Sequence, residues 1–233
     1  TPNVALMYKP GKFNFRASYA AGFRTPTLSE LYATDIAKKN DRLTIGNLDL
    51  KPEKNNYFSL SAEYVHERFS VSVNAFYNNI RDMIDYNTIA TGDKAMEQYG
   101  HKEVRQRDNI AEAKVHGINV SANAYLGAGF NLSGGYTHLN TQDVELEQPI
   151  DKSIKNAYNI NAQWAHSWKI YRLNINLNGR FNSKRFSKSY GYAPEYQLWD
   201  LNTRHSFNLK SVIIEPGCGM ENLFDYMDDR PYN

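Results

Sequence analysis

Two polar intervals of this chain gather side chains that could hold a ligand. Tyr86, Tyr99, His101, Arg105 and Arg107 lie between about Arg81 and Arg107, and Tyr190 and Tyr192 between about Asn182 and Pro194. Aromatic rings stack on flat ligands and cations pair with anionic ones, so this mixture suits a bulky anionic metal chelate. Tyr-rich loops also pack on one another, and the residue types alone do not choose between the two. Among the histidines His101 is the one placed to meet an external ligand; His66 and His166 fall in short turns, and His138 and His205 on strand positions. Asp225, Asp228 and Asp229 offer oxygen ligands to calcium, without the spacing of a dedicated loop. No Ser, His and carboxylate stand in matched strand-end positions, which argues against an enzyme. The single cysteine, Cys218, permits neither an internal disulfide nor a multi-cysteine metal site.

The elements that must position these residues alternate with a period of two. Phe13, Phe15, Ala17, Tyr19, Ala21 and Phe23 are separated by Asn14, Arg16 and Ser18, and Phe58, Leu60, Ala62 and Tyr64 by Ser59, Ser61 and Glu63. Tyr171, Leu173, Ile175 and Leu177 oppose Arg172, Asn174 and Asn176 in the same way. Each such segment is a strand with one apolar face, and about ten of them follow one another. Short turns at Pro10-Gly11, His66 to Arg68, Gly127 to Gly129, Ala165 to Ser167 and Asn208 to Lys210 alternate with long intervals. The long ones are Phe23 to Glu53, Arg81 to Arg107, Asn140 to Ser153 and Asn182 to Pro194, with a further loop from Asp225 to Asn233.

Composition narrows the class. The chain has 233 residues, 41% of them hydrophobic, and its formal net charge of +2 gives no electrostatic case for nucleic acid. Aromatics are abundant, with 17 Tyr, 11 Phe and 3 Trp. No run of about 18 apolar residues exists to form a transmembrane helix. A membrane barrel remains open, because alternating strands average to a polar value such as the mean hydropathy of −0.65. One neat rim and one elaborate rim match the short periplasmic turns and long outer loops of such barrels. The polar face is rich in Asn, Ser and Gln, which suits a crowded lumen better than the Lys and Glu of a soluble sandwich. Phe23, Tyr64, Phe69, Tyr136, Trp164, Trp168 and Trp199 are candidates for the interfacial aromatic girdles. The fold class expected is therefore all-β, a transmembrane antiparallel β-barrel.

The longest connection carries two compact motifs. Pro26 and Pro52 stiffen its ends, and Arg24 and Glu53 could pair across the mouths of adjacent strands, so that Phe23, Arg24, Thr25, Pro26, Asn47, Leu48, Leu50, Lys51, Pro52 and Glu53 fix a loop that ligand or plug then contacts. The stretch F-R-T-P-T-L-S-E-L-Y at 23–32, whose second half suggests one helical turn, and G-N-L-D-L-K-P-E at 46–53 resemble the F-R-A-P and N-P-x-L-K-P-E boxes of TonB-dependent outer-membrane receptors. G-M-E-N-L-F-D at 219–225 is similar to the G-x-x-N-L-F-D/N that precedes the last strand in that family.

The resemblance implies a bacterial outer-membrane location and a barrel of roughly 22 strands closed by a plug. Residues 1–233 would be part of that one barrel domain, its C-terminal portion, with the final strand missing after Asn233 and the plug and TonB box upstream of Thr1. A half barrel alone would leave two edges unpaired in lipid, so the remainder belongs to the working unit. The implied function is import of a metal chelate, an iron siderophore or haem, with cobalamin as an alternative cargo and an outer-membrane barrel enzyme or a passive porin as alternatives of another class. The implied partners are membrane lipid, the TonB complex, the chelate and a surface lipoprotein, with no intrinsic cofactor. Haem-uptake receptors of this family carry a His between the two boxes, whereas none lies between Thr27 and Leu50, and N-L-D-L stands where N-P-x-L is usual.

Overall fold

Period-two alternation becomes a sheet of ten antiparallel passes in the computed structural model, which describes residues 2–187 and 190–227. The strands are β1 (Asn3–Tyr8), β2 (Phe13–Arg24), β5 (Glu53–Val65), β6 (Phe69–Thr91), β7 (Glu103–Gly127), β8 (Phe130–Asp143), β9 (Asn156–Trp168), β10 (Tyr171–Asn182), β13 (Tyr196–Leu209) and β14 (Val212–Ile214), each bonded to the next. A further segment, β15 (Gly217–Met220), continues the last pass along β13. Pro216, which has no amide hydrogen to give, marks the break between them. The β2–β5 connection holds α1 (Leu28–Tyr32), β3 (Thr34–Ala37) and β4 (Arg42–Ile45). Helix α2 (Gly92–Tyr99) caps β6 and β7, and β11 (Arg185–Ser187) pairs with β12 (Gly191–Ala193) as a separate hairpin.

Register keeps like with like across the sheet. One row runs Phe13, Tyr64, Val71, Ala122, Gly134, Ile160, Gly179 and Trp199, and the next row, on the other face, runs Asn14, Glu63, Ser72, Ser121, Gly135, Asn159 and Arg180. The polar rows satisfy themselves: Ser18 and Ser59 meet at 2.7 Å, Ser72 and Ser121 at 2.7 Å, and Asn14 donates to Glu63 at 2.8 Å. The apolar rows have nothing to pack on. Leu6 is 70% exposed and Leu60 62%, while among the described residues the buried apolar ones are few and half of them are alanine. Such an inverted arrangement is stable only where the surrounding solvent is hydrocarbon.

Aromatic belts border that face. At the turn rim Phe13, Tyr64 and Phe69 are linked at centroid distances of 4.9 and 5.6 Å, Phe130 and Trp164 at 5.9 Å, and Trp168, Tyr171 and Phe207 at 5.5 and 4.9 Å. At the loop rim Tyr19 meets Phe58 at 4.7 Å and Tyr136 meets Tyr158 at 4.6 Å, with the Tyr19 and Tyr136 hydroxyls donating to Asn56 and Asn156. Trp199 packs instead over Gly179, where a Cβ would come within 2.8 Å of its ring. Phe23 lies exposed at the loop end of β2.

Three expectations need correction. The Arg81 to Arg107 interval is not a loop: β6 and β7 run on through most of it, across register shifts near Met83 and at Ile89, because Tyr86, Thr88 and Val104 continue the strand pattern beyond the first. The Ala165 to Ser167 turn lies at 169–170, where Lys169 takes a φ of 28°, so His166 belongs to β9 and sits between Trp164 and Trp168. The Asn182 to Pro194 interval contains the β11–β12 hairpin.

Val73 lies mid-strand on the apolar face and Ser72 on the polar one. Val73→Arg is expected to destabilise the full-length barrel by about 2–4 kcal/mol in denaturant unfolding from lipid bilayers, and Ser72→Arg by far less; equal costs would contradict the facing.

Candidate functional site

The β2–β5 connection begins and ends on one ion pair. Arg24 and Glu53 are direct register partners, and the guanidinium straddles the carboxylate, Nε to Oε2 at 2.7 Å and Nη2 to Oε1 at 2.6 Å. The other edge of the fork reaches Glu30 in α1, with Nη1 3.0 Å from Oε2. Planar bidentate geometry of this kind is specific to arginine. Glu30 is also half of a capping box: it accepts from the Thr27 amide at 2.8 Å while Thr27 caps the Glu30 amide. Glu53 Oε1 accepts from the Ile84 amide at 2.8 Å, tying the pair to the third strand, β6. Thr25 and Pro26 bridge β2 to this cap.

The second box packs against the first. The Gly46 amide bonds the Ala33 carbonyl and the Asn47 amide the Glu30 carbonyl, closing the helix C-terminus. A Cβ on Gly46 would lie 2.5 Å from the Leu31 carbonyl oxygen, so only glycine permits this approach. Asn47 turns the chain by accepting from the Asp49 amide at 2.9 Å, Leu48 stays exposed and Leu50 is buried. Asn109 of β7 holds Lys51 from both sides, accepting from its amide at 2.7 Å and donating to its carbonyl at 2.9 Å, and also donates to Asp82 at 2.6 Å. Pro52 then leads into Glu53.

Beyond these boxes the connection builds a small core of its own. β4 pairs with β7 in parallel, Arg42 to Ile45 against Glu103 to Gln106, and β3 folds back on β4. Leu43, Ala95 and Val104 are buried there, with Ile45, Ala90 and Tyr99 packed around them. His101 Nδ1 lies 2.9 Å from Asp41 Oδ1, while the Lys102 amide bonds the Asp41 carbonyl.

The ligand candidates therefore separate. Tyr99 belongs to the small core, His101 ties α2 to the β3–β4 hairpin, and Arg105 pairs with Glu103 at 2.6 Å. Tyr86 and Arg107 come together: the guanidinium carbon stands 3.6 Å from the ring centroid and Nη2 donates to the hydroxyl at 2.6 Å. Tyr190 and Tyr192 lie on the β11–β12 hairpin, 56% and 57% exposed. The third motif folds as a clamp, in which Asn222 accepts from the Tyr226 amide and donates to its carbonyl, both at 2.9 Å, and its own amide reaches Asp200. Among the described residues no group of three or more His, Cys, Asp or Glu could hold a metal; Asp228 and Asp229 lie outside them.

Sequence reading missed Glu30, Asn109 and Asp41. Glu30 had a signal, since T-x-x-E is a capping box; Asn109 and Asp41 act across 58 and 60 residues and had none.

Burial pushes the Glu30 carboxyl up, but hydrogen bonds from Arg24 and Thr27 outweigh it and lower it from 4.5 to about 2. A depressed carboxylate stabilises the fold above its unfolded value and loses that contribution as pH falls towards its folded one. Full-length Glu30→Gln receptor should therefore melt below wild type at pH 7, with the difference fading between pH 4.5 and about 2; a gap that persists at pH 2 would show that the charge is not responsible. Arg24→Lys, which cannot span both carboxylates, and Arg24→Ala should both speed protease cleavage at Lys38–Lys39.

Comparison with known proteins agrees with this geometry. The family described as "TonB dependent receptor-like, beta-barrel" matches residues 1–219. The ferric enterobactin receptor PfeA of Pseudomonas aeruginosa, solved as a mutant with enterobactin, superposes with a TM-score of 0.77 at 18% identity, over 97% of this chain and 35% of that one. The siderophore receptor PirA of Acinetobacter baumannii gives 0.73 at 16% identity over 96% and 36% of the two chains, and the FrpB iron transporter of Neisseria meningitidis 0.69 at 16% over 97% and 35%. The chain spans about a third of the length of the solved structures it matches. With the sheet, its inverted faces and the paired boxes, this places the chain in the TonB-dependent receptor family, as part of a β-barrel wall of the bacterial outer membrane.

Proposed function

We propose that the protein imports an anionic metal chelate across the outer membrane, and that a ferric siderophore is the cargo. The observation that carries this reading is the Arg107–Tyr86 pair, a cation stacked on a ring and held on the β6–β7 arm beyond the register shifts around Met83. A preset cation–aromatic surface receives a flat, negatively charged chelate with little loss of side-chain freedom. The exposed Tyr190 and Tyr192 on the β11–β12 hairpin offer further stacking area. Haem is the weaker cargo, because His101 is engaged with Asp41 and no histidine lies in or between the two boxes. Cobalamin uses the same scaffold and is the second reading. That similar folds serve a ferric enterobactin receptor and an iron transporter supports iron, and family membership favours a receptor over a barrel enzyme or passive porin.

In this reading residues 1–233 are one portion of a barrel of roughly 22 strands. A plug occupies its lumen, the TonB complex pulls on a segment elsewhere in the polypeptide, and a surface lipoprotein is a further candidate partner.

Titration of the purified full-length receptor with a ferric siderophore set, haemin and cyanocobalamin, followed by absorption and fluorescence, tests the assignment. Saturable binding of one ferric siderophore is expected, weakened roughly tenfold by Tyr86→Ala or Arg107→Ala. A Soret shift lost in His101→Ala would replace it with haem, and binding of none of the chelates would overturn it.

A further inference from the structure

We propose that the outward face of β2, β5, β6 and β7 carries a binding site for a phosphate-bearing lipid of the surrounding membrane. Ala17, Leu60 and Ala75 line a shallow apolar groove of about 510 Å³, bounded on the loop side by the ring row Tyr19, Phe58 and Tyr77. Small residues between larger ones leave a trough wide enough for an acyl chain.

Three cations stand on the same face above that ring row. Lys54 and Arg81 are register partners, and Lys114 is the partner of Asn79. Lys54 precedes Phe58 by four positions and, on the antiparallel partner, Arg81 follows Tyr77 by four, about 13 Å along strands of roughly 3.3 Å per residue. Two carboxylates face them: Asp82 lies 3.3 Å from Lys54, and Glu112 is shared by Arg81 and Lys114 at 3.8 Å each. One positive charge remains in excess, the shared contacts are long, and the Lys54 and Arg81 side chains are 65% and 62% exposed.

Apolar trough, aromatic row and cation row follow the order of acyl chain, interface and headgroup phosphate in a bilayer. A free phosphate would use only the cations; the trough beneath them commits the site to a lipid. The site lies outside the barrel and does not depend on which cargo passes through it.

Native mass spectrometry of the detergent-solubilised full-length receptor, titrated with diphosphoryl lipid A, tests the proposal. One retained lipid is expected, with phosphatidylcholine bound at least tenfold more weakly. Each cation near an anionic headgroup contributes about fivefold, so Lys54→Gln with Arg81→Gln should weaken lipid A about 30-fold. Ala75→Phe, which fills the trough and leaves the charges, should weaken it as well, and Lys169→Gln at the opposite rim should not; Ala17→Leu serves if Ala75→Phe fails to fold. Equal binding by the double variant and Lys169→Gln, or equal binding of phosphatidylcholine, would overturn the site. An inert trough variant combined with displacement of lipid A by inorganic pyrophosphate would overturn it too, in favour of free phosphate.

Discussion

A strand surrounded by hydrocarbon has no water to satisfy its amides, so every one must bond to a neighbouring strand, and a slip of one residue would turn each side chain to the wrong solvent. The register of this sheet respects that constraint from β1 to β13: rows of Phe, Val, Ala, Ile and Leu on one face lie beside rows of Asn, Ser and Glu on the other. The polar face then needs its own bonds, which the serine and asparagine contacts between strands supply. The aromatic belts mark where the constraint ends, and tyrosine hydroxyls begin to find asparagine partners there.

Past that boundary a different interaction takes over. Arg24 joins the last position of β2 to the first of β5 and reaches into α1, so one guanidinium fixes both ends and the first turn of a connection almost thirty residues long. The glycine of the second box lets the returning chain touch the helix backbone, and Asn109 holds the following lysine from β7, two strands along the sheet from β5. The two boxes are thus halves of one joint whose parts meet only when four strands, β2, β5, β6 and β7, are in register.

The sheet was legible because lipid and lumen impose opposite demands on alternate residues, and that signal survives in short segments such as Phe13 to Phe23. It failed where the demand lapses. β6 and β7 continue beyond the membrane, where both faces meet water or protein, so Asp85, Asp108 and Arg107 read as loop although their backbones pair. The β9–β10 turn was misplaced because Lys169 takes a left-handed conformation that lysine seldom signals. Pairing of Arg24 with Glu53 could be foreseen from two adjacent strand ends, whereas the Asn109 clamp and the His101–Asp41 contact depend on tertiary neighbours far apart in sequence.

The small core of Leu43, Ala95 and Val104 stands apart from the barrel wall, fastened to it through β7. Its hairpin tip, 38–41, meets the scaffold chiefly through Asp41, so substitutions at Lys38 and Lys39 change the outer surface and leave the joint and the membrane ladder alone. The molecule divides its mutational freedom between two regions, and the boundary between them is the arginine at the end of β2.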